Sequence, residues 1–267
     1  MRKRSHRPPA RTAPGRSVTS RALSALDAFD HGHRVLSLSE IARRTDLPLA
    51  TAHRLVAELC EARLLSRRPD GAYEIGARMW RLGLLSPPTM LREAALPYLQ
   101  DLVLSTGHTV HLAVRDGTRA LVIDRLAGSR SLPTRHRPGG WLPLHCTAVG
   151  KVLLAYAPAD LQDAVMADLT PHTKYTVTDS AVLRRQLHTV QSEQLARSAQ
   201  EHRMGVSSLA MPITMSGQGV VAALALLAPM AAPRLGDALG PMTAAAAAIG
   251  TKATRADVVV DLHELDR

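Results

Sequence analysis

Hydrophobic positions recur every three or four residues through the first quarter of the chain, which predicts three amphipathic helices. The first begins at Ser17, and its apolar face is formed by Val18, Ala22, Leu23, Ala25, Leu26 and Phe29. The second covers 38–44 and has Ser39 as its N-cap. The third runs from about 50 to 63, with inward positions at Ala52, Leu55, Val56 and Leu59. Pro48 separates these two helices, because proline excludes the preceding residue from helical geometry.

A short hairpin is expected directly after the third helix. Two β-like runs within 64–75 flank the turn-forming Pro69-Asp70-Gly71. A short helix, a tight turn and a longer helix form the helix-turn-helix plan, in which the second element enters the DNA major groove, and a hairpin after it is a wing. The side chains expected to face DNA are Thr51, His53 and Arg54 on the helix and Arg67 and Arg68 on the wing. The alternative is a plain packing module.

The rest of the chain alternates strand-like and helical patterns irregularly. A helix is predicted over 91–104, interrupted at Pro97. Strand-like runs follow at 109–115, 119–126, 206–214 and 219–227. Further helices are predicted at about 147–157, 179–203 and 234–253. Irregular alternation favours a mixed or antiparallel sheet with helices packed on it, so the fold class is α+β.

Composition narrows the class of protein. Of 267 residues, 46% are hydrophobic and 21% charged, which suffices for the cores of one large domain or two ordinary ones. The longest apolar run, 220–232, contains Pro229 and is shorter than the roughly 20 residues of a membrane helix. No apolar stretch follows the charged amino terminus, so we expect no secretory signal and a cytoplasmic location. Cys60 and Cys146 form no Cys-x-x-Cys pair, so neither a disulfide framework nor a zinc site is expected.

Positive charge is concentrated at the amino terminus. The formal net charge is +10, and residues 1–16 carry six basic side chains and no acidic one: Arg2, Lys3, Arg4, Arg7, Arg11 and Arg16. This segment, with its three prolines, is predicted to be a disordered basic arm that is attracted to duplex DNA. The alternative is a charge run that serves only solubility. Aromatic residues make up only 3% of the chain, which argues against stacking platforms for RNA or single strands.

Several separated motifs resemble those of one known family. They are LSEIA at 38–42, LPLATAHRL at 47–55, YEIG at 73–76, TVHLAVRDG at 109–117 and LPLHCTAVGKVLLA at 142–155. In this order, and over about 17–252, the chain resembles the IclR family of bacterial transcriptional regulators.

The resemblance implies a domain organisation. It comprises a winged helix-turn-helix domain at 17–77, a linker helix at 78–90, a GAF-like α/β effector-binding domain at 91–255 and a carboxy-terminal tail at 256–267. The implied function is a repressor or activator whose operator binding is modulated by a small-molecule effector. The implied partners are double-stranded DNA, a carboxylate or more apolar small molecule, and further copies of the chain in a homodimer or homotetramer. No cofactor or metal is implied. A DNA-binding regulator or architectural protein without a ligand response is the alternative.

The resemblance also implies where the effector and the DNA bind. In such families, free amides at the start of a helix bind a small carboxylate. The implied effector-binding residues are Leu142, Thr147, Ala148, Val149, Glu201, Ser208, Ala225 and Leu227. Since the last three replace the polar residues usual in the family, the pocket is expected to be more apolar. On the DNA-reading helix, Leu49 and Ala50 replace a common Lys-Ser pair, and Ser39 and Arg44 complete the expected DNA face.

Enzymatic alternatives are disfavoured by spacing. A phosphate-binding loop ending at Gly150-Lys151 would need a glycine at His145, and Val152 stands where Ser or Thr would hold magnesium. His145 beside Cys146 suggests a thiol nucleophile, but neighbouring residues of an extended segment point to opposite faces. The thiol at position 146 is therefore interpreted as a packed core residue, and the one at position 60 as a small buried hydrophobe. A small-molecule enzyme remains the less favoured function.

Overall fold

The computed structural model describes residues 17–131, 137–231, 235–256 and 258. The chain divides into two compact units, Met1–Leu85 and Ser86–Arg267. The basic arm predicted at 1–16 lies outside the described residues, as does all of the predicted tail except positions 256 and 258. Of the tail, Val258 is buried in the hydrophobic core of the second unit.

The first unit contains four helices and a small antiparallel sheet within its described residues. Its elements are α1 (Val18–Asp27), β1 (Val35–Leu36), α2 (Leu38–Thr45), α3 (Leu49–Glu61), β2 (Leu65–Arg67), β3 (Tyr73–Ile75) and α4 (Ala77–Gly83). The sheet order is β1-β3-β2. The predicted inward face of α3 is confirmed, since Ala52, Leu55, Val56 and Leu59 are buried. The predicted wing hairpin, formed by β2 and β3, is also confirmed. The two-residue strand β1, which the sequence did not indicate, pairs with β3 and extends the hairpin to three strands. Cys60 is only half-buried, at the edge of this core.

The predicted N-cap of α2 is wrong by two residues. Ser37, and not Ser39, caps the helix, and its hydroxyl accepts a hydrogen bond from the Glu40 amide at 3.3 Å. In return the Glu40 carboxylate accepts the Ser37 amide at 2.8 Å, which completes a capping box. Ser39 is an exposed residue in the first turn of α2.

The second unit is built on a six-stranded antiparallel sheet. Its helices are α5 (Pro87–Thr106), α6 (Ala148–Ala155), α7 (Ala159–Met166), α8 (Ser180–Glu193) and α9 (Leu239–Arg255), with a 3-10 turn at Leu235–Ala238. Its strands are β4 (Thr109–Asp116), β5 (Arg119–Leu126), β6 (Trp141–Pro143), β7 (Ala196–Ala199), β8 (Val206–Met215) and β9 (Gly219–Pro229). The sheet order is β6-β5-β4-β9-β8-β7. The chain is therefore an α+β protein, a winged helix-turn-helix unit followed by an α/β unit.

Two helix predictions in this unit need correction. The helix predicted at 91–104 starts at Pro87 and continues through Pro97, because buried residues on both sides of the proline hold the two halves together. The helix predicted at 179–203 ends at Glu193, where Gln194 adopts a left-handed conformation with φ of 55°. The chain then forms edge strand β7.

The two faces of the large sheet differ in side-chain size. One face, covered by α5 and α9, carries large apolar residues, among them Leu112, Ile213, Leu224 and Leu226. The opposite face, covered by α6 and α8, carries mainly alanines: Ala113, Ala120, Ala196, Ala210, Ala223 and Ala225. Small residues on this face leave space between the sheet and the start of α6. Among the described residues, no helix combines the length and hydropathy needed to cross a bilayer.

Candidate functional site

The predicted DNA-reading positions of α3 share the outer surface of that helix. Leu49 is 54% exposed, and Ala50, His53 and Arg54 are exposed, whereas Thr51 is half-buried. The apolar residues of the opposite face fix the helix in the core of the first unit. The amino-terminal half of α3 thus presents exposed side chains on the face opposite the core.

Arg44 has a structural role in the first unit. Its Nε donates to the Ala28 carbonyl at 2.7 Å and its Nη2 to the Asp30 carboxylate at 2.6 Å, which ties the end of α1 to α2. Asp30 also accepts from His33 at 2.9 Å, and this hydrogen bond is the main reason that the pKa of Asp30 falls to about 2. Arg44 therefore uses two of its donors to position the helix-turn-helix.

The two cations of the wing differ in their surroundings. Arg68 forms ion pairs with Asp70 at 3.4 Å and with Glu74 at 3.1 Å. Arg67 instead lies over the Tyr73 ring, with its guanidinium carbon 5.9 Å from the ring centre. Since two carboxylates share the charge of Arg68, Arg67 is the wing cation whose charge is least compensated by the hairpin itself.

A cavity, partly open to solvent, lies between the alanine-rich sheet face and the start of α6. Seven of the eight predicted effector-binding residues line it: Leu142, Thr147, Ala148, Val149, Ser208, Ala225 and Leu227. The sequence prediction missed the other lining residues, which are His111, Ser198, His202, Arg203 and Val206. The accessible surface of the lining is mostly apolar, although it includes His111, His202 and Arg203.

The amino terminus of α6 forms one wall of this cavity. Thr147 is the N-cap; its hydroxyl accepts the Gly150 amide at 3.0 Å and donates to the Pro143 carbonyl at 2.8 Å. The amides of Ala148 and Val149 precede the first helical hydrogen bond, so the helix itself offers them no acceptor. Gly150 allows α6 to pack directly against the backbone of Pro143 and Leu144, because a Cβ at position 150 would lie 2.5 Å from their carbonyl oxygens.

Glu201, the eighth predicted residue, lies elsewhere. Its carboxylate accepts a hydrogen bond from the Lys151 ammonium at 2.6 Å, and both side chains are buried. Lys151 also donates to the Arg197 carbonyl at 3.3 Å. Burial raises the pKa of Glu201, and the charge of Lys151 opposes that rise. The structure thus places Glu201 in a buried ion pair that joins α6 to the segment after β7, and not on the cavity wall.

The buried thiol near the cavity is not activated. Cys146 is fully buried, as expected for a core residue, and burial raises the pKa of its thiol to about 12, with a further contribution from the Glu201 charge. Its Sγ lies 3.8 Å from Nδ1 of His202. A protonated thiol is a poor nucleophile at neutral pH, so this geometry does not favour covalent catalysis.

Comparisons with known proteins cover both units. The family model of the IclR helix-turn-helix domain matches residues 18–69, and that of the bacterial transcriptional regulator IclR carboxy-terminal domain matches 88–249. The glycerol operon regulatory protein of Streptomyces coelicolor is 32% identical over 195 residues, which are 72% of this chain and 77% of that protein. The transcriptional regulator XynR of Escherichia coli is 29% identical over 210 residues, which are 77% of this chain and 83% of that protein.

A solved structure extends the similarity to the fold. An IclR homologue from Microbacterium hydrocarbonoxydans, crystallised with 4-hydroxybenzoate, superposes with a TM-score of 0.85 at 30% identity. The match covers 90% of this chain and all of that one. The matched family models describe a DNA-binding domain and the carboxy-terminal domain of a transcriptional regulator. The chain therefore belongs to the IclR family of bacterial transcriptional regulators, as a DNA-binding regulator with an effector-binding carboxy-terminal domain.

Proposed function

We propose that the effector of this regulator is a small carboxylate with an apolar, ring-sized body, bound in the cavity beside α6. The observation that carries this proposal is the combination of amides at the start of α6 with otherwise mostly apolar walls. Amides at a helix start favour a carboxylate, and the alanines of the sheet face accommodate an apolar body. 4-Hydroxybenzoate, the ligand of the Microbacterium homologue, has both features and is the first compound to test.

We expect Ala148→Leu to abolish the response to this effector while leaving operator binding intact. Ala148 is 1% exposed and lines the cavity, so a larger side chain at this position must occupy ligand space. Calorimetric titration with 4-hydroxybenzoate should show binding to the original chain and at least about 10-fold weaker binding to the variant, a loss of about 1.4 kcal/mol or more. Operator affinity, measured without ligand, should be the same for both.

The matched control is Ala181→Leu, which adds the same bulk on the exposed surface of α8 and should change neither measurement. Thermal unfolding of each variant verifies that its fold is retained. If Ala148→Leu still binds 4-hydroxybenzoate as before, the ligand lies elsewhere. If the original chain binds operator but neither benzoates nor aliphatic carboxylates change that binding, the alternative of a regulator without a ligand response is favoured.

For DNA recognition, we propose that α3 reads the major groove while the wing and the basic arm contact phosphates. Support comes from the exposure of Leu49, Ala50, His53 and Arg54. It also comes from Arg67, whose charge the hairpin compensates less than that of Arg68. Thr51 at the same helix end is half-buried and contributes at the edge of this surface. Arg68, Arg44 and Ser39 are assigned to its periphery, because intramolecular contacts already engage both arginines and Ser39 precedes the turn.

We further propose that the regulator acts as a homodimer. One winged helix contacts too few base pairs for a specific operator, whereas a two-fold pair doubles the site. The end of the first unit carries exposed apolar side chains at α4 and just after it: Trp80, Leu82, Leu84 and Leu85, of which Trp80 is 70% exposed. A cluster of exposed apolar residues is typical of an association surface, and a second copy of the chain is the proposed occupant.

We expect Trp80→Ser to dissociate the dimer and to weaken operator binding, because both depend on pairing of the two winged helices. Sedimentation velocity at micromolar concentration should give the mass of two chains for the original protein and a monomer for the variant. Ser substitution at the exposed Tyr175 of the second unit serves as the control and should leave the mass unchanged. A monomeric original protein with full operator affinity would contradict the proposal.

A further inference from the structure

Four side chains able to bind a transition metal converge at one end of the second unit. They come from three loops: the segment between β6 and α6, the loop between α7 and α8, and the loop between β7 and β8. The members of this histidine–thiol cluster are His145, Cys146, His172 and His202. His145 and Cys146 are buried, His202 is half-buried and His172 is exposed, so one side of the cluster is open to solvent.

The distances within the cluster suit ligands of a single ion. One ligand atom from each of His145, Cys146 and His172 lies within 4.8 Å of the other two. The fourth member, His202, adjoins this group through the thiol, since its Nδ1 lies 3.8 Å from Sγ of Cys146. In a tetrahedral zinc site, bonds of about 2.3 Å to sulfur and 2.0 Å to nitrogen separate those two atoms by roughly 3.5 Å. The exposed His172 ring can close the remaining gap by rotating about its side-chain bonds.

Hydrogen bonds orient the cluster in the way that metal-binding residues are oriented. Nε2 of His145 lies 3.0 Å from the Thr170 carbonyl, which can only accept, so Nε2 carries the proton and Nδ1 keeps its lone pair. Histidine ligands of metals commonly donate their second nitrogen to a backbone carbonyl in this manner. The Ser198 hydroxyl donates to the Cys146 carbonyl at 3.0 Å, which fixes the backbone of the thiol residue.

The loops that carry the two outer histidines are also tied to each other. The Thr173 hydroxyl donates to the Gln200 carbonyl at 2.7 Å, and the Thr176 hydroxyl donates to the Glu201 carbonyl at 2.6 Å. The Thr176 hydroxyl additionally accepts a hydrogen bond from the His172 backbone amide at 3.0 Å. The His172 and His202 rings lie edge to face with centres 4.8 Å apart. The ligand loops are therefore held together by contacts that require no ion, which lowers the entropic cost of binding one.

We propose that the histidine–thiol cluster is a binding site for Zn²⁺ in the effector-binding domain. Three imidazoles and one thiolate form a four-coordinate donor set of the borderline-soft kind that zinc prefers, and hard cations such as Mg²⁺ or Ca²⁺ would require oxygen ligands. Binding forms the bond between the metal and Sγ and releases the thiol proton to water. This departs from the sequence expectation of no metal, which depended on the absence of a Cys-x-x-Cys pair.

The site adjoins the effector cavity, because His202 belongs to the cluster and also lines the cavity. A bound cation would add positive charge to one wall of a space that also contains Arg203 and the start of α6. Zinc binding in the cluster and carboxylate binding in the cavity are nevertheless separate properties, and each can be measured without the other.

The test uses the full chain after treatment with a chelator. Titration with Zn²⁺, followed by calorimetry, should show one ion bound per chain. Titration with Co²⁺ should give the visible d–d bands of a tetrahedral complex and a near-ultraviolet thiolate-to-cobalt charge-transfer band. Cys146→Ser should remove the charge-transfer band, and His172→Ala should weaken zinc binding by more than about 100-fold, since even loss of an outer-shell partner costs about 10–100-fold.

His172→Ala keeps the test decisive if the buried Cys146 variant fails to fold, because His172 is exposed. The control is His188→Ala, which removes an exposed histidine of α8 and should leave zinc affinity unchanged. Zinc binding that persists in His172→Ala, a cobalt complex without the charge-transfer band, or no binding at millimolar zinc would each overturn the proposal. Operator binding and the response to 4-hydroxybenzoate would stand in those cases, since neither requires the metal.

Discussion

Replacing Lys151 by methionine is expected to lower the free energy of unfolding of the effector-binding domain by about 3–5 kcal/mol. Lys151 is 2% exposed and bonds the buried Glu201 carboxylate at 2.6 Å. Methionine has a similar volume but no charge, so Glu201 would remain buried without its cation. The cost is dominated by that uncompensated carboxylate rather than by lost packing.

Urea unfolding monitored by the fluorescence of Trp141, with Trp80→Phe to silence the other of the two tryptophans, reports on this domain. The control is Arg184→Met, which breaks an ion pair of the same 2.6 Å length to Asp163 on the surface. Solvent weakens such a pair, so this variant should lose less than about 1 kcal/mol. The double variant Lys151→Met/Glu201→Leu should recover most of the loss. If Lys151→Met lowers the free energy of unfolding no more than Arg184→Met does, burial does not increase the contribution of the Lys151–Glu201 ion pair to stability.

Arg54→Ala is expected to weaken operator binding by about 1–3 kcal/mol, which is roughly 5–150-fold. Arg54 is exposed on the outer face of α3. In the orientation proposed above, its guanidinium would reach a guanine edge or a phosphate. An ion pair with Glu58, one helical turn away, would have been an alternative role, but within the described residues no such pair is formed. Thermal stability should be nearly unchanged, since an exposed helix residue contributes little to the core.

Fluorescence anisotropy with an operator and with an unrelated duplex separates the two kinds of contact. If Arg54 contacts a base, the variant should lose affinity for the operator alone. If Arg54 contacts a phosphate, the variant should lose affinity for both duplexes, and the slope of log K against log salt concentration should become smaller by about 1. Arg185→Ala, an exposed arginine of α8, is the control for the loss of one positive charge. Unchanged operator affinity in Arg54→Ala would exclude α3 as the reading helix in the orientation proposed.

The elements predicted correctly from the sequence are those with a strong local pattern. Strands β4, β5, β8 and β9 are long and rich in apolar residues, and the inward face of α3 follows a helical repeat. Strand β7 was missed because it has only four residues and none of them is β-branched or aromatic, and its identity as a strand depends on pairing with the distant β8. The N-cap of α2 could have been found, since Ser37 and Glu40 have the spacing of a capping box.

The residues of the candidate sites, like the helices and strands, could be predicted only where they lie in a local motif. Leu142 and the start of α6 lie in one continuous motif, so resemblance could indicate this part of the cavity wall. The pairing of Glu201 with Lys151 joins positions 50 residues apart and has no local signal. The histidine–thiol cluster draws its members from three loops between positions 145 and 202, so no spacing motif could indicate it.

The difference between the two sheet faces has a consequence for how regulators of this kind diverge. Along β9, Ala225 faces the cavity while its neighbours Leu224 and Leu226 support the opposite core. Because successive residues of a strand point to opposite faces, a replacement at 225 reshapes the ligand space without altering the packing beneath α5 and α9. With the effector bound in this cavity as proposed, single replacements of small residues would change which compound is sensed, while a separate set of positions maintains the stability of the fold.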